Sequence, residues 1–270
     1  MSTALVAARR IAGRQWGSWK PRLGDVGLRL LGVLAFFSVW QAATSAGLLG
    51  EAFGADFGPV RGLRALGRLT ASGVLVEQSS ASLGRLGLGL GIAVLIGAPL
   101  GVLVGYSRPL DAATSVVFQF LRMTSPLALV PVALVAFGVG SRPVIFLVAF
   151  AAVWPVLLST AHGVGRVSPI WKRVVRGFGG GDRAVVRKVI LPATVPDLLQ
   201  GVRLALGVGW VVIVPAEMLG VDSGLGYQIL DARDRFAYDE LVATILAIGL
   251  LGYLTDLALR WLKERYSWSA

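Results

Sequence analysis

The chain has 270 residues, 55% of them hydrophobic and 15% charged, with a mean hydropathy of +0.72. Several apolar runs approach or exceed the roughly 20 residues that a helix needs to cross a bilayer, which excludes a soluble globular fold; the runs lack ten-residue alternation, so they read as helices and not as barrel strands. A formal net charge of +11 would suggest a nucleic-acid partner in a soluble chain, but here the placement of charge matters more than its sum, and the absence of cysteine excludes disulfides, thiolate metal sites and thiol nucleophiles.

Residues 1–26 form a basic leader containing Arg9, Arg10, Arg14, Lys20 and Arg22. A first span follows at 27–48; the small residues at 43–46 would suit a cleavage site, but the leader is long for a signal peptide. Within 49–80, Val60, Leu63, Leu66, Leu69 and Val74 recur near helical spacing with Arg61, Arg64 and Arg68 between them, which predicts an amphipathic helix at the membrane surface. Residues 27–81 therefore hold the first span and this surface segment, and 82–265 hold a core of five spans.

Those five spans are read at 82–106, 112–137, 143–163, 197–219 and 241–262. On the second, Gly97, Gly101 and Gly105, like Gly87 and Gly91, make small-x3-small steps suited to close helix packing. The long loop at 164–196 separates spans four and five. Lys and Arg divide unevenly between the two sides: sixteen fall in the leader, at Arg108, in the 164–196 loop and after the last span, against six at 61–68, 142 and 233–235. The positive-inside rule places both termini and the long loop in the cytoplasm, and anionic lipid is an expected contact of that face.

Inside the loop, Ser168-Pro169 reads as an N-cap followed by proline at the first helical position, and the Gly179-Gly180-Gly181 run stops that helix. Asp182 is read as the cap of a second helix whose Val185, Val186, Val189 and Ile190 form one apolar stripe, ended by Pro192 and separated from the fifth span by Pro196. A charge-only loop would not need a capped helix, a glycine elbow and a proline stop in that order. The alternative, a loop that only touches lipid headgroups, stays open on these residues alone.

The spacing of Gly179, nine residues, then Val189-Ile190-Leu191-Pro192 resembles the second half of the "EAA" signature, E-A-A-x3-G-x9-I-x-L-P, of the membrane subunits of ABC importers. The stretches at 122–140, 191–229 and 249–265 are similar to the branch that imports nitrate, taurine and aliphatic sulfonates. The resemblance implies an all-α membrane protein of six transmembrane helices with a cytoplasmic coupling-helix loop between helices four and five. Arg173, Arg176, Gly179, Asp182, Arg183, Val185, Arg187, Leu191 and Pro192 would then meet the ATPase. Where the family has Glu-Ala-Ala this chain has Arg173-Val174-Val175, so the first loop helix is expected to meet its ATPase differently.

The same resemblance implies a bacterial inner-membrane permease paired with a second, identical subunit, two cytoplasmic ATPases that hold ATP and Mg, and an extracytoplasmic solute-binding protein. The chain itself is expected to bind no cofactor or metal and to be no enzyme. It has no GxxxxGK[ST] and no HExxH, and His162 lies across the membrane from Ser223 in this topology. Ionisable residues within spans are costly and mark paths or pairs, so Arg122 and Glu217 are path candidates, either lining an anion route or pairing with each other. Arg203 is a further candidate; for it and Arg85, snorkelling to the interface is the simpler account. Met123, Phe137 and Met218 are candidate gate side chains, with packing as the simpler reading. The main rival function is a secondary transporter or channel without an ATPase, which usually carries mid-membrane polar ligands and broken helices in matching halves, and a second rival is a membrane assembly or scaffold protein.

Overall fold

The structure, a computed structural model, describes residues 23–46, 54 and 57–266. The expected leader up to residue 22 lies outside the described residues. The chain divides into two units, Met1–Pro59 and Val60–Ala270. The first contains α1 (Leu23–Ser45), an apolar helix whose Thr44 hydroxyl donates back to the Gln41 carbonyl at 3.0 Å. Its Phe37 and Trp40 rings stack 6.1 Å apart.

The second unit is helical throughout its described residues: α2 (Pro59–Ala71), α3 (Val74–Tyr106), α4 (Arg108–Met123), a 3-10 turn (Pro126–Leu129), α5 (Val130–Phe137), α6 (Ser141–Arg166), α7 (Pro169–Gly177), α8 (Asp182–Val185), a π turn (Val186–Ile190), α9 (Leu191–Gly220), α10 (Leu225–Asp234) and α11 (Tyr238–Tyr266). Among the described residues four helices are long and apolar enough to cross a membrane, and five if the bent pair α4 and α5 counts as one span. The apolar part of α1, Leu30–Ser45, is shorter.

α6 is the axle of this unit, packed against α3 on one side and α9 on the other. Small residues on α3 make the first contact possible. A Cβ on Gly101 would lie 2.5 Å from the Leu157 carbonyl oxygen, and one on Gly105 would lie 2.5 Å from that of Ala161. With Gly89, Ala93 and Gly97 they form a stripe every four residues along one face, so the backbones of α3 and α6 approach as closely as side-chain-free surfaces allow. Gly87 and Gly91 face open space, so only one of the two predicted small-residue steps is used for packing. Around this seam Leu147, Val148, Val156 and Leu157 of α6 and Ile213 of α9 are almost wholly buried. Leu95 and Val116, by contrast, are 76% exposed, as side chains facing lipid should be.

Two elements differ from the sequence reading. The third span is not continuous over 112–137: α4 and the Pro126–Phe137 segment meet at 83°. Thr124 and Ser125 have extended backbone, because Pro126 disfavours the helical region for the residue before it. The second loop helix does not end at Pro192 either. It runs through the π turn into α9, giving one helical segment, Asp182–Gly220, of 39 residues. In the wide turn the Leu191 N–H bonds the Val186 carbonyl five residues back, which makes room for the Pro192 ring. Pro196 and Pro215 are carried inside the helix.

The predicted surface helix exists as α2 without Val74, which begins α3 after the turn at Gly73, and it packs on α11. Ala65 and Leu69 are buried with Ala243 and Ala247, Gly62 touches Val242, and Arg68 bridges Asp239 at 2.5 Å.

Candidate functional site

The basic loop is anchored at its second half and open at its first. Ser168 caps α7, its hydroxyl accepting from the Ile170 N–H at 3.4 Å, and the chain turns at Gly179, whose φ of +80° favours a residue without a Cβ. Gly180 N–H closes the turn on the Val175 carbonyl at 2.9 Å. Gly181, not Asp182, stands at the next N-cap. Asp182 turns its carboxylate away from its own helix to accept from Arg176 at 2.8 Å and from the Tyr106 hydroxyl at 3.0 Å. The Asp182 hydrogen bond, and then that of Tyr106, hold the Arg176 guanidinium above its usual pKa. Beyond it Val185 and Ile190 are fully buried with Val164 of α6, so the predicted stripe faces inward as the loop's anchor.

What the anchor presents outward is an apolar stripe on α7. Ile170, Trp171 and Val174 lie at helical spacing, and Phe178 in the turn is 90% exposed. Arg173, Arg176, Arg183 and Arg187 flank the stripe and are exposed, as are Leu191 and Pro192 at the start of α9. A helix that hides its neighbour's valines while exposing a tryptophan and a phenylalanine has the form of a docking surface.

At the opposite end, charge is enclosed. Glu217 has no exposed surface and pairs with Arg85 at 2.8 Å, a guanidinium that is itself 7% exposed. Ser82 donates to Glu217 at 2.8 Å, the Gly226 N–H donates to it at 3.0 Å, and Arg85 also donates to the Ser223 carbonyl at 2.7 Å and to the Ser141 hydroxyl at 2.9 Å. Gln78 accepts from the Gly224 N–H at 2.5 Å. The cluster ties α3, α6, α9 and the turn before α10 together. Glu217 thus pairs with Arg85 and not with Arg122, and Arg85 is a buried partner instead of a snorkelling side chain. Arg203 is likewise engaged, bonded to Asp256 of α11 at 2.5 Å beside a cavity of about 530 Å³.

Between the two ends runs an aromatic ladder. Phe137 at the end of α5 lies 5.2 Å from Phe146, Phe146 lies 6.3 Å from Phe150, Phe150 lies 6.0 Å from Trp154, and Phe118 of α4 lies 5.8 Å from Trp154. Arg122 stands beside it, at the 83° bend, with no ion pair or hydrogen bond to any described residue. Met123 is 76% exposed next to it, and Met218 is half-buried near the end of α9. Arg122 is exposed on the single subunit, and a guanidinium at the centre of a bilayer costs about 2.5–3.5 kcal/mol on insertion scales.

Of the candidates read from sequence, the structure brings Arg122 and Met123 together at the bend, places Phe137 at the ladder's far end, and encloses Glu217 in the polar cluster. Sequence reasoning did not assign Trp171 and Phe178, although their helical spacing to Val174 was visible, nor Tyr106 and Trp154, whose roles depend on contacts distant in sequence.

A family model described as "Binding-protein-dependent transport system inner membrane component" matches residues 93–268. The chain is 36% identical over 266 residues to the bicarbonate transport system permease protein CmpB of Synechococcus elongatus, covering 95% of each chain. It is 35% identical over 191 residues to the nitrate import permease protein NrtB of Leptolyngbya laminosa, covering 71% of this chain and 68% of that one. Among solved structures, a chain of the inward-facing MetNI methionine ABC transporter shares the fold, with a TM-score of 0.63 at 17% identity over 73% of this chain and 98% of that one.

Proposed function

The chain belongs to the binding-protein-dependent inner-membrane components, the permease subunits of ABC importers, and from that premise we propose that its basic loop is the ATPase contact and its cargo a small anion. A permease of this family works with an ATPase and a solute-binding protein and is not itself an enzyme. The observation that carries the loop assignment is the exposed stripe of Ile170, Trp171, Val174 and Phe178 on a base fixed by Val185 and Ile190. Arg173, Arg176, Arg183 and Arg187 supply charge around it, so the partner groove should be apolar at its centre and acidic at its rim.

The working unit is two copies of this chain with two ATPases that bind ATP and Mg on the cytoplasmic side, where both termini and the loop lie, and the binding protein on the outer face of a bacterial inner membrane. Because Asp182–Gly220 is one helical segment, roughly 58 Å long at 1.5 Å per residue, displacement of the loop is carried as a lever to Glu217. There the buried pair with Arg85 passes it to α3, which switches the subunit between inward-open and outward-open states. The curated relatives are named for bicarbonate and nitrate, and this supports a small inorganic anion as cargo, with sulfonates as the next class.

The native chain has no cysteine, so a single cysteine reports one site. Phe178→Cys should crosslink to the ATPase subunit, and Val139→Cys in the turn between α5 and α6 should not. Equal crosslinking at both, or none at Phe178, would remove the loop from the ATPase interface.

A further inference from the structure

We propose that Arg122 and Trp154 form an anion-binding station halfway through this subunit, specific for a small inorganic oxyanion; the proposal rests on the importer reading above. Two cavities of about 190 and 360 Å³ open on either side of the bend, and Arg122, Trp154 and Leu158 line both. Trp154 lies near the middle of Ser141–Arg166, roughly 18 Å from either end, so the station is beyond reach of lipid headgroups.

Two donors there lack acceptors. Arg122 makes no ion pair or hydrogen bond with any described residue. The indole N–H of Trp154, a residue 9% exposed, is buried without a partner, while Phe118 and Phe150 hold its ring on two sides. A buried donor is normally satisfied, and a planar guanidinium is matched by two oxygens of an oxyanion. Gln119 on the smaller cavity adds a neutral amide donor, while the hydroxyls of Ser115 and Thr124 beside the cavities already donate to the Ala112 and Phe120 carbonyls, and Asp111 limits the smaller cavity about 16 Å along α4 from Arg122.

A second copy of this chain does not fill the need. The carboxylates more than one turn from the ends of its long spans, Asp197, Glu217 and Asp256, are already paired with Arg166, Arg85 and Arg203, and Glu77, Asp182, Asp239, Glu240 and Glu264 lie in terminal turns, away from the middle of the subunit. A mobile anion is the remaining partner of the right charge. The bend supplies the space: a straight helix over 108–137 would cover the cavity with side chains, and the extended Thr124 and Ser125 leave it open.

The test is uptake of labelled bicarbonate and nitrate by the complete transporter in proteoliposomes, with copurification of the ATPase scored for every variant. Arg122→Gln should lower uptake at least tenfold while the ATPase still copurifies, Arg122→Lys should restore part of it, and Trp154→Phe, which removes the N–H and keeps an aromatic ring, should lower uptake several-fold. Full uptake by Arg122→Gln would overturn the station and leave the importer reading intact. A wild-type complex that binds its ATPase but moves neither anion would overturn the oxyanion assignment alone. A wild type that retains no ATPase would overturn the importer reading and this proposal with it.

Discussion

The two ends of the helical unit treat arginine in opposite ways. At one, Arg85 is enclosed by Glu217, Ser141 and Ser223, each of its three nitrogens donating to an acceptor, and the surrounding turn is closed over it. At the other, Arg173, Arg183 and Arg187 project into the surroundings beside a bare tryptophan and phenylalanine. A polar group that is satisfied internally holds elements together, and one left outward beside apolar surface is held for a partner. Arg122 is a third case, exposed and unpaired like Arg173, Arg183 and Arg187 but set beside the aromatic ladder at the 83° bend.

The largest effect should come from opening the closed end. Glu217→Ala leaves the Arg85 charge buried without its partner, so it should cost about 3–5 kcal/mol, read as a lowered unfolding midpoint in detergent. Replacing both residues by methionine should cost less than either single change. A Glu217→Ala midpoint equal to wild type would show that the pair is not structural.

A smaller contrast comes from added methyl groups. Gly226→Ala drives a Cβ into the Val214 carbonyl and should cost about 1–3 kcal/mol, whereas Gly177→Ala, at a helical position of the loop where a Cβ meets nothing within 4 Å, should be neutral or stabilising by up to about 1 kcal/mol. Equal costs would erase the distinction between a packed and an open end. Gly179→Ala lies between them: its open surroundings add no clash, but the positive φ should cost about 1 kcal/mol. The smallest effect on stability is expected for Phe178→Ser, within about 0.5 kcal/mol, because the ring touches little of its own chain.

Much of this arrangement was legible in local spacing. The apolar runs placed α6 and α11 to within four residues at each end, whereas α3 begins eight residues before the span read at 82 and α9 six before the one read at 197; Ser168-Pro169 marked the start of α7, and Gly97, Gly101 and Gly105 marked the seam with α6. Features that depend on geometry between distant residues were not legible. Nothing near Glu217 names Arg85, which is 132 positions away. Pro192 reads as a stop because local rules take no account of a π turn, and the bend at Ser125-Pro126 was hidden inside a run apolar enough to pass for one span. The loop candidates were read from the motif, but the apolar stripe beside them was not, since an exposed Trp171 looks the same in sequence as a buried one.

The central claim, that the open end is the surface for the ATPase, is tested most directly by copurification of the ATPase with detergent-solubilised permease carrying Trp171→Asp and Phe178→Asp. The account predicts that this variant folds with the wild-type unfolding midpoint and loses the ATPase, while Val139→Asp at the closed end keeps it. Retention of the ATPase by the double variant at the wild-type level would contradict the account.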